Sequence, residues 1–226
     1  MQIKSALIIF AREPKDGKVK TRLARDLPVR VVTCLYKAFI RDVIQVVRRV
    51  PCEARFIFYD AEGGTSIPFL RKAATGFRFK RQTGRDLGER MHKAFEHCHK
   101  NGFRRIAILG SDCVTVTAKD METAFRALGS HDCVLGPAKD GGYYLIAMSQ
   151  PCRGVFQGVL WGTSPVLEQT LGKARALGKT VFLLGQRGDI DEIDDLRGFS
   201  RRAKGSSGAM HTQKILARLT VPARSS

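Results

Sequence analysis

Three stretches of this chain have residue types and spacing suited to chemistry on phosphate. The first is Ile108-Leu109-Gly110-Ser111-Asp112-Cys113, an apolar run that ends in two small residues and one carboxylate. It reads as a strand delivering Asp112 to its C-terminal edge, where ligands of open α/β sheets collect. A lone strand-end Asp would do no more than cap a turn, so the other stretches matter. The second is the loop from Arg12 to Leu23, which carries Arg12, Lys15, Lys18, Lys20 and Arg22 around a single glycine, Gly17. Cations beside a glycine that lets backbone approach a ligand suit a multiply charged phosphate chain, with Thr21 as a further contact. This is not a Walker A loop, which needs G-x-x-x-x-G-K-[ST] running into a helix. A solvated basic loop is an equally good reading of this stretch taken alone. The third stretch is acidic: Asp189, Asp191, Glu192, Asp194 and Asp195.

Together these stretches make a chemically sensible set. Mg²⁺ or Mn²⁺ is commonly held by one or two protein carboxylates plus phosphate oxygens. Asp112 with Asp189 or Asp191 would bridge such a metal to a diphosphate, while Lys18, Lys20 and Arg22 offset the remaining charge. The residues lie far apart in sequence, so a sheet whose strand ends share one side must bring them together. His97-Cys98-His99 does not earn a metal, because adjacent helix positions point in different directions.

The elements that would do this positioning alternate along the chain. Ser5 to Phe10, Arg55 to Tyr59, Phe77 to Arg81, Asp132 to Gly136, Tyr143 to Met148 and Thr180 to Leu184 read as strands around the central one. Val29 to Val50 has apolar residues spaced by threes and fours and is stopped by Pro51, which predicts an amphipathic helix. Asp86 to Asn101 is helical, and Thr117 caps a helix through Met121, Phe125 and Leu128 with Asp120 completing an imperfect capping box. Ser164 begins another helix, with Pro165 at its first position. Gly63-Gly64 marks a turn. Strands alternating with helices predict βαβ units, a mainly parallel sheet and a three-layer α/β sandwich.

Composition bounds the rest. The 226 residues, 43% of them hydrophobic, suit one α/β domain over residues 1–200. Residues 201–226 read as a basic tail without acids, with Gly205-Ser206-Ser207-Gly208 as a flexible linker and Ile215 to Val221 as either a docking helix or a disordered end. The six cysteines are scattered without a CxxC pair, so reduced thiols and no zinc site are expected. No apolar run approaches the roughly 20 residues of a membrane span, and the N-terminus turns polar too soon for a signal peptide, which predicts a cytoplasmic protein. The net charge of +18 attracts anions: phosphorylated small molecules, or nucleic acid. Zinc-finger, helix-turn-helix and RNP-type signatures of nucleic-acid binding are missing from the sequence.

At this resolution the chain resembles the nucleotide-diphospho-sugar transferase superfamily with the GT-A fold, and within it a bacterial group labelled glycosyltransferase. The likeness rests on Gly17 with Val19-Lys20-Thr21-Arg22-Leu23, on Leu35-Tyr36, Phe39 and Asp42, and on Gly84 with Asp86-Leu87-Gly88-Glu89-Arg90-Met91. It continues through Gly110-Ser111-Asp112, Gly136-Pro137, Asp140-Gly141-Gly142-Tyr143-Tyr144, Trp161, Thr163 and Asp189-Ile190-Asp191, in order and at family-like spacing from Ser5 to Leu196. The resemblance implies that Asp112 belongs to a metal-binding acidic motif and that Lys20 and Arg22 contact phosphates. It puts Arg85, Asp86 and Arg90 on the nucleotide side. Asp140 is a candidate acceptor-side base or the Asp-Gly turn of a hairpin, and Gly141, Gly142, Trp161 and Thr163 are candidates for the acceptor pocket. Two departures stand out: Val114 where a proline is common, and Glu192-Ile193 where Thr-Pro is usual. The second leaves open whether Asp189 or Asp191 faces the metal.

Three functions follow as expectations. One is a metal-dependent glycosyltransferase with a nucleotide-sugar donor and a small-molecule acceptor. Another is a nucleotidyltransferase joining a nucleoside triphosphate to a phosphorylated small molecule, in which Lys18, Lys20 and Arg22 hold the triphosphate. The third, carried by charge alone, is a basic nucleic-acid-binding protein.

Overall fold

The side chains of β1 (Ser5–Arg12) alternate between two cores, and this divides the protein into layers: Leu7 and Ile9 enter one, Ala6 and Ile8 the other. In the computed structural model, residues 3–60, 64–203 and 208–219 are described. Gly63 and Gly205-Ser206-Ser207, expected in a turn and a linker, lie outside them.

Six further strands extend the sheet: β2 (Ala54–Asp60), β3 (Arg78–Arg81), β4 (Arg105–Gly110), β5 (Cys133–Pro137), β6 (Tyr143–Met148) and β7 (Val181–Leu183). Among the described residues they form one seven-stranded sheet in the order β3-β2-β1-β4-β6-β5-β7. β1 pairs in parallel with both β2 and β4, in registers that match Phe10 with Phe58 and with Gly110. Strand β6 runs antiparallel to β4 and β5, and β7 is again parallel to β5. The antiparallel strand follows from the short turn at 138–142, which can only return the chain as a hairpin.

Helices cover both faces. α1 (Val29–Arg49), α2 (Pro68–Ala73), α4 (Ala118–Ala127) and α6 (Ile193–Ala203) bury Leu35, Phe39, Leu70, Met121, Leu196 and Phe199 in the core that holds Leu7 and Ile9. α3 (Leu87–Lys100) and α5 (Val166–Ala176) bury Met91, Phe95 and Ala174 against the other face. Both halves of the expected capping box on α4 are made: Thr117 accepts from the Asp120 N–H, and Asp120 from the Thr117 N–H. Pro165 stands at the N-cap of α5 and Val166 is its first helical residue, one position later than the sequence reading. Two helices had no sequence signal assigned to them. α2 is only six residues long, and α6 starts inside the acidic cluster, where Asp194 and Asp195 suit the positive end of a helix.

The last described helix, α7 (Met210–Leu216), docks on α1. The buried Asp42 carboxylate accepts from the N–H of His211 and Thr212 and from Thr212 Oγ1, at 2.9, 2.8 and 2.6 Å. All six cysteines are free thiols, and no described helix is long and apolar enough to cross a membrane.

Candidate active site

Strands β1, β2 and β4 are parallel neighbours, so their C-terminal ends bring Arg12, Asp60 and Gly110-Ser111-Asp112 to one edge of the sheet. The loops are locked to that edge. Tyr36, reaching up from α1, meets Ser111 Oγ at 2.9 Å and accepts from the Arg12 N–H at 3.1 Å. Thr115 Oγ1 donates to the Gly188 carbonyl at 2.9 Å, which ties the segment after β4 to the one that carries Asp189 and Asp191. At Gly110 a Cβ would come within 2.8 Å of Asp112 Oδ1, so the glycine is what lets this carboxylate fold back over the strand end.

Lys20 is the hub. Its ammonium lies 2.9 Å from Asp112 Oδ2 and 3.2 Å from Asp191 Oδ1, and its side chain is only 6% exposed. The backbone at Lys20 sits at φ 47°, in the left-handed region that costs a non-glycine residue about 1 kcal/mol or more. Burial alone would lower the Lys20 pKa, but Asp112 and Asp191 outweigh it and hold the ammonium charged. In return, burial of Asp112 would raise its pKa, and Lys20 holds it below the ordinary carboxylate value. Arg22 pairs with Asp191 at 3.1 Å and approaches Glu192 at 3.7 Å. Asp189 is different. Burial first, and then the charges of Asp112 and Asp140, push its carboxyl up to about 6.

Two cavities meet at this point. The first, of about 370 Å³, is walled by Arg12, Lys18, Lys20, Thr21, Arg90 and Asp60. Asp60 is fixed between two guanidiniums, with Arg12 at 3.2 Å and Arg90 at 3.1 Å. The second, of about 570 Å³, is walled by Asp140, Gly142, Tyr143, Trp161, Thr163 and Asp189. Asp112 and Asp191 line both.

Most residues singled out in the sequence therefore lie together. Asp86 instead caps α3, accepting from the Glu89 N–H at 2.8 Å, and Arg85 is an outward side chain paired with Glu89. Gly17 lies in the first loop at φ 70°, outside both cavity linings. Gly141 acts through its backbone: at φ 86°, a Cβ there would sit 1.9 Å from the Ser164 carbonyl oxygen, and its own carbonyl accepts from the Leu167 N–H. Asp140 sits in the hairpin turn, accepting from the Gly142 N–H at 3.0 Å, and also lines the second cavity, so the two readings of this residue coexist. Asp60, Gln82, Tyr143 and Tyr144 line the cavities without having been singled out as site residues. For Asp60 the available signal was its position at the end of a strand that flanks β1.

Carboxylates at this edge form a hard oxygen donor set, the kind that suits Mg²⁺ or Mn²⁺. Among the described residues no three His, Cys, Asp or Glu side chains converge as a ready-made metal cage. Asp112 with one of Asp189 and Asp191 fits the case in which a metal takes one or two carboxylates from the protein and the rest from phosphate and water. Buried and beside Asp112 and Asp140, the Asp189 carboxylate is one that a cation would help to ionise.

The family model described as "uncharacterized protein conserved in bacteria (DUF2064)" matches residues 43–163. A protein from Desulfovibrio desulfuricans G20 described as a nucleotide-diphospho-sugar transferase is 32% identical, with 96% of this chain and 95% of that one covered at a TM-score of 0.89. The chain belongs to this family of nucleotide-diphospho-sugar transferases. More distant structures share the GT-A-like fold. A cytidylyltransferase from Leptospira borgpetersenii is 13% identical over 96% of this chain and 95% of its own, at a TM-score of 0.54. Glucosyl-3-phosphoglycerate synthase from Mycobacterium tuberculosis, in complex with Mn²⁺, UDP and glucosyl-3-phosphoglycerate, is 13% identical over 98% of this chain and 81% of its own, at 0.53. Comparison with curated proteins finds no match.

Proposed function

We propose that this protein is a metal-dependent glycosyltransferase that moves a sugar from a nucleotide-diphospho-sugar to a small-molecule acceptor. The observation that carries the reading is the meeting of a cationic cavity and an acidic, aromatic-walled cavity at Asp112 and Asp191. A donor laid across that junction would put its nucleotide and phosphates in the first cavity and its sugar at the mouth of the second. Lys18, Lys20, Arg22 and Arg90 would neutralise the diphosphate and stabilise it as it leaves. Asp112 with Asp189 or Asp191 would hold Mg²⁺ or Mn²⁺, which supplies Lewis-acid stabilisation of the leaving diphosphate. The acceptor hydroxyl gives its proton to Asp140 and its oxygen forms the new bond to the sugar carbon. The nucleoside diphosphate departs with the electron pair of the old carbon–oxygen bond. The 32% identical Desulfovibrio protein, described as a nucleotide-diphospho-sugar transferase, supports this assignment.

Nucleotidyl transfer is the second reading, favoured by the density of cations in the first loop. A thermal-shift screen of wild type and Asp112→Ala against nucleotide sugars and nucleoside triphosphates, with and without Mg²⁺ or Mn²⁺, separates the two. Metal-dependent stabilisation by a nucleotide sugar, lost in the variant, is the expected result. The same pattern with a triphosphate alone would transfer the assignment to nucleotidyl transfer. No metal-dependent shift with any nucleotide would overturn both.

A further inference from the structure

The two cavities differ in charge, and the difference bears on what the second one admits. The first has Arg12, Lys18, Lys20 and Arg90 in its wall. In the second, Asp112, Asp140, Asp189 and Asp191 face a shared space, and the one cation among its described lining residues, Arg22, is already paired with Asp191. Lys20 and Arg22 compensate Asp112 and Asp191, whereas Asp140 and Asp189 form no ion pair among the described residues.

Part of its remaining wall is aromatic, with Trp161, Tyr143 and Tyr144. Trp161 packs against α3 where Gly88 has no side chain, since a Cβ there would come within 2.6 Å of the indole. Trp161 also meets Tyr143 edge-to-face at 6.4 Å and 84°. These contacts seat the indole against the protein, and it offers an apolar surface to whatever occupies the cavity.

We propose that the second cavity takes a neutral polyhydroxylated acceptor, a sugar or polyol with an apolar C–H face, and rejects its phosphorylated counterpart. This rests on the glycosyl-transfer reading above and names the acceptor class for it. Ionised carboxylates only accept hydrogen bonds, so their partners must be donors, and hydroxyls supply them. The C–H face of the same molecule packs on Trp161, which is how a few oriented polar groups and an apolar wall divide recognition in a ligand pocket. A phosphate ester would set a dianion beside Asp140 and Asp189, whose charges no cation among the described residues pairs, and beside the diphosphate of the bound nucleotide. A hydroxyl hydrogen-bonded to a carboxylate is also the group that a general base must reach.

Trp161 is the sole tryptophan, so its emission reports this cavity alone. The experiment titrates the full-length protein, saturated with Mg²⁺ and the nucleoside diphosphate giving the largest thermal shift, with glucose, glycerol and myo-inositol and with their monophosphates. At least one neutral compound is expected to change Trp161 emission saturably, at concentrations at least tenfold below its monophosphate. Asp140→Asn, which keeps the oxygen that accepts from Gly142, and Asp189→Asn should each narrow that ratio at least threefold. Monophosphates binding as tightly as their neutral partners would overturn the proposal, as would silence from every neutral compound while the nucleotide shift persists. Glucosamine binding more than tenfold tighter than glucose would overturn it in favour of a cationic acceptor. Loss of the nucleotide shift itself would instead count against the transferase reading on which the proposal stands.

Discussion

Lys20 holds two carboxylates from opposite ends of the chain, and it does so from a strained backbone position. Removing its charge leaves Asp112, Asp191 and Asp189 repelling one another. Asp112 and Asp191 have side chains 38% and 34% exposed, so solvent screens part of that repulsion. Lys20→Met is therefore expected to cost about 1–2 kcal/mol near neutral pH, less than a fully buried pair would. Added Mg²⁺ should recover more of the lost Tm in the variant than it adds to wild type, because the cation meets uncompensated carboxylates. Equal Mg²⁺ shifts in both proteins would show that these carboxylates do not gather a metal.

Asp189 makes a prediction of opposite sign. Its folded pKa, about 6, lies above the ~3.9 of an unfolded aspartate, so the folded protein binds the extra proton and ionised Asp189 costs stability. That cost is absent below about pH 4, grows as pH rises towards 6, and is complete above it. Asp189→Asn should accordingly stabilise the metal-free protein by about 1–2 kcal/mol at pH 7.5 and change little at pH 4, measured by urea denaturation in EDTA. A stabilisation that is the same at both pH values would show that Asp189 is not strained by its neighbours. Asp112, Lys20, Asp189 and Asp191 could all be singled out from their types and places in the sequence, and the structure brings them together. The direct Lys20–Asp112 contact was not, because nothing in a sequence tells how a left-handed turn aims a side chain across a sheet edge.

At the scale of elements, the strands and long helices were readable wherever a run carried its own period: α1 and α3 by threes and fours, β1 and β4 as short apolar runs. Short helices were not, since one or two turns contain too few residues to show a period, and α2 is stabilised from outside by the Glu13 carboxylate accepting from the N–H groups of Phe69 and Leu70. The direction of β6 depends on the turn at 138–142, whose tightness could be seen in Asp140-Gly141-Gly142, but whose docking on the 161–166 segment could not. That docking is the most constrained contact between elements at the second cavity. In Gly141→Ala the new methyl would collide with the Ser164 carbonyl at a backbone angle alanine disfavours, which should cost about 2–4 kcal/mol. Because the collision pushes the hairpin turn away from the loop bearing Trp161, tryptophan emission should shift along with Tm. A variant with wild-type Tm and emission would mean that this approach can relax freely.

The whole molecule adds a long-range field to these local contacts. Its net charge of +18 is not spent on the second cavity, which is acidic, so an anionic ligand is drawn first to the basic loop and the Arg12–Arg90 side of the sheet edge. The fold makes this polarity possible: β1 sends its cationic loop, with Arg90 of α3 beside it, to one side of Asp112, and the β5–β6 hairpin sends Asp140 to the other. A polarised site of this kind steers a nucleotide in by its phosphates, and steering acts on the encounter, over a Debye length of ~10 Å at 0.1 M salt. Raising NaCl from 50 to 500 mM should then lower the association rate of a nucleotide-diphospho-sugar by about five- to tenfold, with a much smaller change in its dissociation rate, measured by stopped-flow emission. The same charge would bind nucleic acid without needing the site at all, so Asp112→Ala is expected to abolish metal-dependent nucleotide-sugar binding and to leave any salt-sensitive DNA binding unchanged. A DNA affinity that fell with Asp112→Ala would place nucleic acid in the same cleft and overturn the division of labour argued for this surface.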